Sequence, residues 1–158
     1  MKDQEFIRPY SRIQMIILVS LRLIVGYHFL HAGIEKAAAE NWTSAGYLLG
    51  SEWLFSSIFN SIALSPVLLS IIDFLNIWGQ IIIGLFLIIG FLSRIAAFAG
   101  AFLLTLYYIA SPPFIYNEIF INLILLELMA FLVVALFNTS EFWGIDRLIK
   151  KPRGRGNV

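Results

Sequence analysis

Residues 13–36 read IQMIILVSLRLIVGYHFLHAGIEK, and this stretch decides the fold. It stays apolar over a length that crosses a bilayer as a helix, for which about 20 residues suffice. Yet Arg22 stands near its middle, and His28, His31 and Glu35 crowd its far end. A charge at bilayer depth costs about 3 kcal/mol on insertion scales unless it is paired or turned toward protein. The stretch therefore marks a membrane helix with polar groups held inside a protein, and those groups are candidates for function.

The rest of the chain agrees. Hydrophobic residues make up 59% and charged residues only 13%, well below the roughly 25% of a soluble domain. With a mean hydropathy of +0.85, a single membrane domain over residues 1–158 is the simplest organisation. The net charge of +1 gives no sign of a nucleic-acid partner. The chain has no cysteine, which excludes disulfides, thiolate nucleophiles, iron–sulfur ligation and covalently attached haem. Redox chemistry here would need a bound organic cofactor or a second subunit. Lys2, Arg8 and Arg12 ahead of the apolar run, with Ala37–Ala39 after it, imitate a signal peptide. The run is longer than an h-region of about 7–15 residues and carries Arg22 at its centre, so it reads as a retained helix.

Four stretches qualify as spans, at about residues 13–33, 66–92, 94–111 and 119–137. Ser65-Pro66 opens the second as an N-cap and a first-turn proline, and Pro112-Pro113 stops the third. Short loops join the last three, so they are expected to be antiparallel neighbours. The fold class is all-α, a four-helix transmembrane bundle. Lys2, Arg8, Arg12, Arg94, Arg147, Lys150, Lys151, Arg153 and Arg155 fall on one side of it, and only Lys36 on the other. The positive-inside rule then places both termini in the cytoplasm. Residues 37–64, with Trp42, Trp53, Phe55 and Phe59, form an outer loop able to lie in the interface. Phe142, Ile145, Leu148 and Ile149 beside basic residues suggest an amphipathic C-terminal helix on the inner leaflet, followed by a basic tail at 150–158.

At 1.5 Å per residue, Arg22 lies roughly 14 Å from the cytoplasmic end of its span and Glu127 roughly 15 Å from the end of its own. Opposite charges at one depth predict an intramembrane ion pair. A second polar layer lies nearer the outer face. His28, His31 and Glu35 share one helix face, and Asp73, Asn76 and Gln80 share another. By depth His28 matches Asn76 and His31 matches Asp73, with Tyr108 and Asn122 close by, and such a layer suggests one solvated pocket. The H-x-x-H-x-x-x-E run is a weak metal signal. Both histidines stand on one helix, so a single chain makes no bis-histidine haem site, and there is no flavin motif. Gly26, Gly33, Gly79, Gly84, Gly90, Ala96, Ala97, Gly100 and Ala101 read as helix-packing positions.

The spacing Arg22-x3-Gly26-x2-Phe29-x3-Gly33-x2-Lys36 resembles the DoxX/DoxD family of small membrane proteins. So do SAGYL at 44–48, IWGQIIIGLFLIIGFLSRIAAFAG at 77–100 and FWGIDRLI at 142–149. The resemblance implies a four-helix membrane bundle and, because DoxD is a subunit of thiosulfate:quinone oxidoreductase, a role in passing electrons to membrane quinone. Arg22 and Lys36 correspond to the family's Arg and Lys positions.

The leading reading is thus a membrane subunit of a quinone-linked oxidoreductase. Arg22, His28, His31, Asp73 and Glu127 are its candidate catalytic groups. Asn76, Gln80, Tyr107, Tyr108 and Asn122 are candidates for holding quinone, and Glu35 and Lys36 for meeting an anionic substrate. The expected partners are the lipid bilayer and either a second protein subunit or further copies of the chain. A non-catalytic scaffold or assembly subunit is the alternative. A small-solute carrier is disfavoured, since four helices leave little room for alternating access.

Overall fold

The computed structural model describes residues 10–111, 121–137, 139 and 143–146. Helix α1, Arg12–Ala38, begins at a capping box. The Ser11 hydroxyl accepts the Gln14 N–H at 3.2 Å, and the Gln14 side chain accepts the Ser11 N–H at 2.9 Å. Two short helices follow in the loop, α2 at Ala45–Leu49 and α3 at Ser56–Leu64. Helix α4, Pro66–Ile89, starts with the first-turn proline. It ends earlier than residue 92 because Gly90 takes a left-handed φ of 68°, the usual conformation closing a helix at glycine. Helix α5 is Ser93–Ala110, and α6, Leu123–Leu136, is capped by the Asn122 side chain accepting the Leu125 N–H at 3.0 Å. Residues 119–120 of the fourth expected span lie outside the described residues. So do Phe142, Leu148 and Ile149 of the expected surface helix, and the tail at 150–158.

Helices α1, α4 and α5 are long and apolar enough to cross a bilayer, and α6 is a shorter apolar helix. The molecule is an all-α membrane bundle. The helices close into a ring in which α1 packs on α4 and α6, and α5 packs on the same two neighbours, while α3 lies against α4. Lipid tails are as apolar as leucine, so close packing rather than water exclusion must hold such a ring. Small residues provide it. A Cβ added at Gly84 would stand 2.4 Å from the Leu30 nitrogen and 2.6 Å from the Gly26 oxygen, so α1 and α4 meet backbone to backbone. Gly100 leaves a notch in α5 that the Phe131 ring fills, and that ring packs at a tilt against Phe29, with centroids 4.4 Å apart. Phe29, Leu87, Leu104, Phe131 and Val134 form the buried centre.

The register of α1 on α4 positions every polar group. Gly33 faces Ile77 and Ile81, Gly26 faces Gly84 and Leu87, and Arg22 reaches Gly90. The first ten residues of α1 therefore run past the α4–α5 turn. At that turn end, residues 143–146 fold back onto the helices. Ile145 N–H donates to the Ile89 carbonyl at 3.2 Å and Asp146 N–H to the Gly90 carbonyl at 3.1 Å. The Asp146 carboxylate accepts the Leu92 N–H at 2.9 Å.

Candidate functional site

Lys36, in the last turn of α1, shares a helix face with Arg22, Phe29 and Gly33, since these residues repeat at helical spacing. That face is turned into the bundle. The Lys36 ammonium donates to the Asn76 side-chain oxygen at 2.6 Å and to the Tyr107 hydroxyl at 3.2 Å, and Tyr107 in turn donates to Asn76 at 2.8 Å. Three helices thus converge on one carbonyl oxygen. The ammonium also lies 4.9 Å from the centre of the Trp42 ring, within cation–π range. Among the described residues the ion pairs are His28–Glu127 and His31–Glu35, so Lys36 is held by neutral oxygens and aromatic faces alone.

The cluster stands in the wall of a cleft of about 760 Å³ at the loop end. The remaining wall is largely apolar, with Phe55 at the N-cap of α3, Phe59 and Ile62 from α3, Leu75 from α4 and Phe102 and Leu106 from α5. An apolar slot with a few convergent polar groups is the usual form of a small-molecule site. Lys36 supplies N–H donors, Tyr107 an O–H, and Asn76 an amide able to exchange partners.

The other expected site residues divide among separate places. Asp73 accepts the Ser44 N–H at 2.8 Å and the Ser44 hydroxyl at 2.5 Å, fastening the loop at the start of α2. Asn122 caps α6. Gln80 is buried on α4, with its side-chain oxygen unpartnered among the described residues. Tyr108 is half-buried next to Tyr107 and does not line the cleft. His28 meets Glu127 at 2.5 Å, and His31 meets Glu35 at 3.4 Å. Both histidines are exposed on the outside of the bundle, so the expected single polar layer around one pocket does not exist.

The expected Arg22–Glu127 pair is also corrected. Arg22 is buried at the turn end, where it donates to the Thr139 hydroxyl at 3.4 Å and feels the Asp146 carboxylate. Glu127 sits farther up, at His28. Counting depth from residue 13 placed α1 about two turns too high, because its start overshoots the α4–α5 turn. The same offset explains why Asn76 meets Lys36 and not His28. The signal that finds Lys36 is its phase with Gly26 and Gly33.

The match to known proteins follows the helices that build the cleft. The sequence profile of the DoxX family matches residues 17–111, most of the chain. This chain belongs to the DoxX family. No curated protein and no solved structure matches it. In this DoxX protein the matched segment contains Lys36, Asn76 and Tyr107, with the short helices that close the cleft above them. Trp42, Ser44, Tyr47 and Phe55 also line the cleft. Of these, Trp42 and Phe55 stood out in the sequence as loop aromatics, whereas their place beside Lys36 depends on the loop folding back.

Proposed function

We propose that this DoxX protein is the membrane subunit of a quinone-linked oxidoreductase, with quinone held in the cleft and its headgroup at Lys36, Tyr107 and Asn76. One observation carries the reading: an apolar cleft wide enough for an isoprenoid-bearing ring has a set of hydrogen-bond donors in its wall. Quinone supplies a two-electron acceptor whose carbonyl oxygens take two protons as it becomes quinol. In this reading Lys36 gives a further N–H to such an oxygen, Tyr107 turns its O–H to one from Asn76, and the aromatic side chains lining the cleft shield them from water. Two thiosulfate anions joining as tetrathionate release the two electrons required, and a second subunit is the place for that oxidation. In this proposal four spans cross a bacterial or archaeal inner membrane with both termini in the cytoplasm. Arg22, Asp73, Asn122 and Gln80 take structural parts.

The test is the quinone content of protein purified in mild detergent, measured by solvent extraction and chromatography. The unaltered chain is expected to retain quinone. Lys36→Met and Tyr107→Phe are each expected to lower occupancy at least about tenfold, the effect of roughly 1.4 kcal/mol of lost binding. Protein that carries no quinone and takes up none of an added short-chain ubiquinone or menaquinone sinks the reading and leaves the scaffold role.

A further inference from the structure

The outward faces of the bundle differ. Helix α5 presents Ile95, Phe98 and Phe102, and α6 presents Leu123, Leu126 and Met129, side chains that lipid solvates well. Helix α1 presents Ser20, Tyr27, His28, His31 and Glu35 among exposed Ile17, Ile24 and Ile34. The His31 side chain is 52% exposed and Tyr27 is 64% exposed. Their depth makes this unusual. Arg22 is level with the α4–α5 turn and α1 ends at Ala38, so the shared helical layer is centred near residue 30. His28 and His31 flank that level, on the same turn as Phe29, whose ring packs against Phe131 in the core. Polar side chains at bilayer mid-depth turn toward protein or a watered cavity, not toward lipid tails. Among the described residues none covers this face.

We propose that the outward face of α1 is a homodimer interface, where the His31–Glu35 pair of one copy packs against the same pair of a second. Three features favour a copy of this chain over an unrelated subunit. Copies inserted in one orientation present His28, His31 and Glu35 at identical depths, so polar groups meet polar groups without further adjustment. The face carries its own complement, imidazoles beside carboxylates, which an isologous two-fold contact requires. Exposed residues Ile17, Ser20, Ile24, Tyr27, His31 and Ile34 also follow alternating spacings of three and four, the seam along which parallel helices pack with a left-handed crossing. The cleft opens elsewhere, toward α3, α4 and α5, so the interface leaves it free.

The cysteine-free chain makes the test clean. Ile24→Cys and Ile34→Cys on the seam, and Ile82→Cys and Leu126→Cys on the faces of α4 and α6, are oxidised separately in native membranes. Non-reducing electrophoresis is expected to show a band at twice the chain mass for the seam positions alone. Two differently tagged copies of the unaltered chain are expected to copurify, a result that does not depend on any variant folding. Failure to copurify overturns the proposal. Copurification without a seam band places the contact on another face and overturns it equally, as does a seam adduct with a protein of different mass. The quinone content of the preparation is unaffected by any of these outcomes.

Discussion

At residue scale the chain shows three ways of keeping a charge inside a membrane. Glu127 uses the His28 imidazole, while Lys36 uses a neutral amide oxygen, the Tyr107 phenol and the Trp42 ring. Arg22 is a third case, buried against Thr139 with its Nε unpartnered among the described residues. Because Glu127 meets His28 and not Arg22, double substitutions should tell the two apart. Arg22→Met and Glu127→Leu should destabilise additively, within about 0.5 kcal/mol, as separate sites do. His28→Gln and Glu127→Gln should instead couple by about 0.5–3 kcal/mol, the range for residues in contact. Thermal unfolding of the single and double variants in one detergent is the measurement, and coupling of the Arg22 pair would contradict the register described above. Asp73 belongs to the same scale. Its two bonds to Ser44 involve a carboxylate and are worth about 1.5–3 kcal/mol each. Asp73→Ala should therefore release the loop and speed proteolysis between residues 39 and 64, while α5 and α6 keep their protection.

At element scale the decisive contact is the seam where α1 and α4 touch. Gly84→Leu would force a side chain into the Leu30 and Gly26 backbone, overpacking that costs about 1–3 kcal/mol and more where backbone cannot shift. Gly79→Ala, in the same helix but facing open space, should be neutral or slightly stabilising, since alanine is favoured over glycine in a helix interior by about 1 kcal/mol. A melting temperature that falls equally for both would show that the seam is not close-packed. The four helices were legible in the sequence because apolar length, Ser65-Pro66 and Pro112-Pro113 mark most of their limits. Their vertical register was not. Apolar residues continue on both sides of Arg22, so hydropathy does not reveal that α1 overshoots the α4–α5 turn, and every depth match inherited one error. The candidate site suffered from this directly. Lys36, Asn76 and Tyr107 were each noticed, but the cluster they form needed the correct register and the folded-back loop.

At the scale of the whole molecule the ring of four helices has two unlike ends. The loop end holds the cleft, Lys36 and the aromatic residues of α3. At the turn end Arg22 lies beneath residues 143–146, and Arg94 is exposed nearby. In the proposed arrangement the positive-inside rule assigns this second end, with Arg94, to the cytoplasm. The cleft would then open toward the outer leaflet, where an anionic donor arrives without crossing the membrane. Single cysteines test this directly in a chain that has none of its own. Glu52→Cys in the loop should react with a membrane-impermeant maleimide in intact cells. Trp143→Cys, 72% exposed at the turn end, should react only after the membrane is opened. Labelling of Trp143→Cys from outside would reverse the orientation and move the cleft to the cytoplasmic face. Equal labelling of both positions in intact cells would rule out an assignment of the two ends to opposite sides, and with it the four-span arrangement.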